Sequence, residues 1–161
     1  MYNTQGNSLL QFIDGYDNTV WYATQNATFD AYSFLYEQHV AMKLNDGRYH
    51  HLLDSTFCAE EPPKGVFADC NFVQIADKRV VIFTRDVAPQ NAGQHALRTD
   101  VAILTQNVNT SIAQIVESYR PDIVVIDASN TRARIVRWEK ECLEAGVKYH
   151  RTDRDGAFVI R

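Results

Sequence analysis

At 161 residues the chain is long enough for one buried core, and 45% hydrophobic with 22% charged residues excludes a disordered polypeptide. Sixteen basic side chains against 20 acidic ones give a formal net charge of −4. Bulk charge therefore does not drive binding to phosphate polymers, and any such contact has to come from a local basic patch. No run approaches the roughly 20 apolar residues of a membrane helix, and the polar start Met1-Tyr2-Asn3-Thr4-Gln5-Gly6-Asn7 lacks the pattern of a signal peptide.

The first elements in chain order are two apolar runs, Ser8–Ile13 and Thr19–Ala23, separated by Asp14-Gly15-Tyr16-Asp17-Asn18, which predict a hairpin. Thr28 is placed to cap a helix reaching about Leu44, because Phe29, Tyr32, Leu35, Tyr36, His39 and Val40 recur at helical spacing before Asn45-Asp46-Gly47. The breaker-rich loop Ala59–Gly65 precedes strands expected at Val66–Ile75 and Arg79–Thr84, with a turn at Asp77-Lys78. Asp86–Thr99 is a second loose stretch. It divides one expected domain, 1–161, into a strand-rich part with a long helix (1–86) and an alternating part (100–161).

The second part is more regular. Val101–Leu104 is a short apolar strand, and Thr110 starts a helix that carries Ile112, Ile115, Val116 and Tyr119 on one face, with Pro121 beyond it. Ile123–Ile126 is apolar throughout, as in a strand covered on both faces. Asn130 starts the next helix, with Ile135, Trp138, Cys142 and Ala145 along one line and Gly146 at a left-handed cap. Val147–Tyr149 and Ala157–Ile160 complete an expected β-α-β-α-β-β order, which implies parallel strands with helical crossovers.

Ligands of open α/β sheets meet the loops at the carboxyl ends of the strands. Here those loops are Thr105-Gln106-Asn107-Val108-Asn109 and Asp127-Ala128-Ser129-Asn130, small polar residues that either cap the following helices or receive an anion. No glycine loop for a nucleotide is present. The histidines are His39, His50, His51, His95 and His150, and only His50-His51-Leu52-Leu53-Asp54 has ligand-like spacing. Neighbours on a strand face opposite sides, so His50 and His51 are poorly placed to share one ion. Ser129, His150 and Asp127 spell a hydrolytic triad on paper, but no nucleophile elbow surrounds Ser129. Cys58, Cys70 and Cys142 contain no C-x-x-C pair; Cys142 reads as a buried hydrophobe, and pairing of Cys58 with Cys70 stays open. Arg132, Arg134 and Arg137 crowd the start of a helix, against its dipole, which favours either an anionic partner or a solvated face shared with Glu139, Glu141 and Glu144.

The runs Asp100–Leu104, Arg120–Asn130, Trp138–Cys142 and Gly146–Phe158 resemble the C-terminal region of ComEC-type competence proteins. That resemblance implies a parent chain that passes single-stranded DNA across the inner membrane. It also implies a mixed α/β, metallo-β-lactamase-like fold in reduced form, with mixed sheets flanked by helices. Metal-bearing members carry an H-x-H-x-D-H motif early on, which the first part of this chain lacks. They place two histidines where Gln106-Asn107 stand, and a His-Pro where Asn130-Thr131-Arg132 stand. Amide side chains cannot replace the imidazoles of a di-zinc centre.

The expectation is a non-catalytic domain with no cofactor, on the periplasmic side. It would assist DNA handling or channel assembly, with single-stranded DNA and the membrane channel portion of the parent chain as partners. Gln106, Asn107, Asp127, Ser129, Asn130, Arg132, Arg134 and Arg137 form its candidate DNA or ligand surface. The competing readings are a residual metal-dependent nuclease or phosphodiesterase built on His50, His51, Asp54 and Asp127, and a Rossmann-like small-molecule module.

Overall fold

A computed structural model describes residues 1–2, 6–24, 30–45, 48–51, 66–69, 71–84 and 97–160. Their alternation of apolar side chains builds four layers. β1 (Asn7–Asp14) and β2 (Asp17–Thr24) form the expected hairpin, paired antiparallel from Asn7↔Thr24 to Asp14↔Asp17. β3 (Arg48–His51), which the sequence reading missed, joins β2 in parallel. On one face of this first sheet, Leu9 and Val20 pack with Ala31 and Leu35 of α1 (Ala31–Met42). On its other face, Leu10, Trp21 and Ala23 meet the second sheet.

The second sheet runs in the order β4 (Val66–Asp69), β5 (Phe72–Ile75), β6 (Lys78–Phe83), β7 (Val101–Leu104), β8 (Ile123–Ile126), β9 (Lys148–Arg151). The first two pairings are antiparallel and the rest parallel. Period-2 alternation sends Val80, Ile82, Val101, Ile103 and Val125 toward the first sheet. Val81, Phe83, Ala102, Leu104, Val124 and Ile126 point the other way, onto α2 (Ile112–Tyr119) and α3 (Arg132–Ala145). Burial on both faces is why Ile123–Ile126 reads as an unbroken apolar run. Two mixed sheets packed face to face and flanked by helices are consistent with the metallo-β-lactamase-like fold that the resemblance implied.

Several element boundaries depart from expectation. The α1 cap is Asp30, whose carboxylate accepts the Tyr32 N–H (3.0 Å) and the Ser33 hydroxyl (2.6 Å); Thr28 lies outside the described residues. Val66–Ile75 is two strands, because the Asp69↔Phe72 register turns the chain after Asp69. The turn between β5 and β6 falls at Ala76-Asp77, with Ala76 at φ 52°. Ala157–Ile160 is not a strand. α4 (Thr152–Asp155) follows β9 instead, where the Asp155 carboxylate accepts the Arg151 N–H at 3.0 Å and bends the chain. Among the described residues, no helix is long and apolar enough to cross a membrane.

Candidate functional site

Four parallel strands ending at one edge bring their last residues together, and the first sheet contributes to the same spot. Asp127, directly after β8, is fully buried. Its Oδ2 accepts from the Ser8 hydroxyl of β1 at 2.5 Å and from the Ser129 N–H at 3.3 Å, while Oδ1 accepts from the Thr152 hydroxyl at 3.2 Å. Thr105, after β7, joins through its hydroxyl to Ser8 and, at 3.2 Å, to Ser129. Ser8 and Ser129 are themselves 2.9 Å apart. Thr152 Oγ1 also accepts the Ala128 N–H at 2.8 Å. The result is a ring of hydroxyls around one carboxylate, with β1 on one side and the ends of β7, β8 and β9 on the other. Desolvation pushes the Asp127 carboxyl up to about 6, although hydrogen bonds from Ser129, Ser8 and Thr152 pull it partly back.

Beside this ring, Gln106 and Asn107 take two consecutive left-handed conformations, φ 53° and 59°. Such residues carry strain unless the surroundings hold them. Here they do. The Gln106 N–H donates to Ser129 Oγ (3.0 Å) and its side-chain amide to the Ala23 carbonyl (3.1 Å). The Asn107 N–H donates to Asn130 Oδ1 at 2.8 Å, and Asn107 Oδ1 accepts the Thr131 N–H at 2.7 Å. Asn130 Nδ2 donates to the carbonyls of Leu104 (2.7 Å) and Asp127 (2.8 Å). The two strand-end loops are thus clasped to each other.

The helix caps differ from the expected ones. Ser111, not Thr110, caps α2 by accepting the Gln114 N–H at 3.3 Å, and the Ile112 N–H is taken by Glu141 Oε2 of α3 at 2.8 Å. A carboxylate of the chain itself therefore occupies the α2 N-terminus, where an external anion would otherwise sit. Thr131, not Asn130, is the N-cap residue of α3, and its side chain makes no capping bond.

The candidate surface divides into an interior set and an exposed set. Gln106, Asp127, Ser129 and Asn130 are buried in the network, with Asn107 half-buried beside them. Arg134 donates to the Val108 carbonyl, and Arg137 donates to the Thr110 carbonyl at 2.7 Å and pairs with Glu141 at 3.3 Å. Both guanidinium groups lie over the buried Trp138 ring, 5.9 and 5.6 Å from its centroid. Arg132 is exposed at the first position of α3. Arg151 and Arg154 converge instead on Glu139, and Arg151 also grips Asp153 at 2.7 Å. Burial raises the Glu139 carboxyl, but bonds from Tyr149, Arg154 and Arg151 outweigh it and hold the group below its ordinary value.

The paper triad is not assembled: His150 Nε2 sits 2.9 Å from the Gly156 carbonyl and its ring lies tilted against Phe158, centroids 5.2 Å apart. His50 and His51 are backbone positions of β3; their side chains lie outside the described residues, as do Asp54, His95, Cys58 and Cys70. Cys142 of α3 is free and buried in the core between the helices and the second sheet. Sequence reasoning missed Ser8 and Thr152 altogether. Ser8 is separated from Asp127 by 119 positions, and no local pattern marks a serine in an apolar strand as part of a site on another sheet.

The family model of the ComEC C-terminal domain matches residues 1–161, the whole chain. The chain belongs to that family. Membership makes it a domain of a competence-related DNA-uptake protein, and ComEC is a membrane-protein family. No curated protein and no solved structure matches the chain. The di-zinc centre of metallo-β-lactamase-like enzymes does not fit the residues found at these strand ends. The donors present are hydroxyls, amides and one carboxylate, already committed to one another, with no group of three His, Cys, Asp or Glu side chains among the described residues able to hold an ion.

Proposed function

We propose that this ComEC C-terminal domain is non-catalytic and assists DNA handling or channel assembly in an inner-membrane parent protein, on its periplasmic face. The observation that carries the reading is the closed hydrogen-bond network around Asp127. The loops where a hydrolase needs open coordination positions for metal and water spend their polar groups on one another and on the first sheet. Residues 1–161 act as one unit in this reading, because Leu10, Trp21 and Ala23 of the first sheet share a core with β6, β7 and β8 of the second.

The DNA-facing edge in this reading is the start of α3, with the exposed Arg132 in front and Arg134 and Arg137 behind it. Single-stranded DNA and the membrane portion of the parent chain are the partners. Fluorescence anisotropy with a single-stranded oligonucleotide, at low and physiological salt, tests the first partner. Incubation of a labelled strand with Mn²⁺ or Zn²⁺, with and without chelator, tests the absence of chemistry. Salt-sensitive, metal-independent binding with an intact strand is the expected result, and chelator-sensitive cleavage would overturn it.

A further inference from the structure

Asp127 is a fully buried carboxylate that forms no ion pair with any described residue, placed where two sheets meet. Among the described residues, few charged groups lie near it. The Met1 amino group feels Asp127 but donates to the Phe158 carbonyl at 2.7 Å. Arg151 pairs in register with Ile126, yet its guanidinium belongs to Glu139 and Asp153. Arg132, at the start of α3, is exposed. Among the described residues, what surrounds the carboxylate directly is neutral: the hydroxyls of Ser8, Ser129 and Thr152, with Thr105 one contact further on.

We propose that Asp127 is a proton-operated lock between the two sheets. With the carboxylate ionised, the Ser8 hydroxyl donates to Oδ2. When Asp127 takes a proton from solvent, the new O–H bond forms at Oδ2 and donates to Ser8 Oγ. The Ser8 proton then turns to Thr105 Oγ1 or to Ser129 Oγ, both within reach. No proton leaves the ring, so the only net change is one proton gained. Both states satisfy Ser8, but only the ionised state holds an unpaired charge away from water.

That asymmetry couples protonation to opening. Lifting β1 off the ends of β7, β8 and β9 lets water reach Asp127, whose acidity then returns toward that of an ordinary carboxyl. The closed joint favours the protonated acid and the open joint the carboxylate, so rising pH favours opening. The raised carboxyl, at about 6 against an ordinary value of 3.8, sets the scale: the opening constant rises by about sixtyfold between pH 4 and pH 7.5.

Amide hydrogen exchange on the whole chain, corrected for intrinsic rates, reads this directly. Protection of β1 amides is expected to fall at least tenfold from pH 4.5 to pH 7.5, with amides at the centre of β8 changing less. In Asp127→Asn that fall disappears. Carboxyl-carbon NMR titration of the unaltered chain provides a second reading that does not depend on the variant folding, with an expected Asp127 midpoint near 6. Flat β1 protection in the unaltered chain, the same slope in Asp127→Asn, or an Asp127 midpoint at or below 4 would each overturn the lock.

Discussion

Arg137 and Trp138 hold the same buried carbonyl, and that sharing makes a quantitative prediction. The Thr110 oxygen accepts Arg137 Nη2 at 2.7 Å and the Trp138 indole N–H at 3.0 Å. Removing Arg137 as Arg137→Ala takes away a half-exposed ion pair with Glu141, worth about 0.5 kcal/mol. It also removes a cation–π contact worth about 0.5–1 kcal/mol. The charged hydrogen bond contributes about 1 kcal/mol, at the low end because the indole still satisfies the carbonyl. The expected loss is therefore about 2 kcal/mol. Trp138→Phe leaves the arginine in place and costs about 2 kcal/mol from the lost indole bond and the smaller ring in a fully buried site. The double variant strands the carbonyl with neither donor, so it should lose about 1–2 kcal/mol beyond the sum of the singles. Urea unfolding followed by far-UV circular dichroism measures all four proteins of the cycle. If the effects add within about 0.3 kcal/mol, the shared-carbonyl account is wrong. Arg132→Ala is the contrast: exposed at the helix start, it should shift stability by less than about 0.5 kcal/mol while lowering the salt slope of oligonucleotide binding by about 1.

Because the Asp127 carboxyl is raised to about 6 from 3.8, its favourable contribution is fully present below about pH 4 and lost as pH rises through 6. Relative to Asp127→Asn, in which the oppositely signed titration of the buried Met1 amino group is also present, thermal or urea unfolding of the unaltered chain should show about 3 kcal/mol of this loss, and no loss relative to that variant from pH 4 to pH 7 would contradict the assignment. Asn107 sits at φ 59° and supplies Oδ1 to the Thr131 N–H. Asn107→Gly relieves the backbone and loses only the clasp, whereas Asn107→Ala loses both and should unfold about 1 kcal/mol more easily than the glycine variant, as equilibrium denaturation can verify. Burial pushes the Cys142 thiol up to about 12, so it should resist iodoacetamide in the native state and react once unfolded, as peptide mass mapping after brief labelling would show.

Local pattern carried much of the fold. Alternation around Gly15 fixes the β1–β2 hairpin, and helical spacing of Ile112, Ile115 and Val116, then of Ile135, Trp138 and Cys142, marks the crossovers. Where the apolar pattern continued across a turn, as from Val66 to Ile75, two strands looked like one. β3 went unseen because Arg48-Tyr49-His50-His51 has no strand-like alternation and gains its place only by pairing with β2. The last segment misled for the opposite reason: Ala157–Ile160 has strand-like residues, but α4 and the Asp155 bond to Arg151 turn the chain before it can pair as β9 does.

Composition, periodicity and the family resemblance determined the class of fold, the order of its parallel half and the polar character of the strand-end loops. Which of those polar residues touch was decided only by packing the two sheets. Ser8 is an unremarked hydroxyl in an apolar strand until β1 is laid across β8, and Arg137 is a surface charge until the Thr110 carbonyl comes under it. Period and propensity act over neighbouring residues, whereas the Ser8–Asp127 hydrogen bond joins positions 119 apart, and no local rule specifies such a pair.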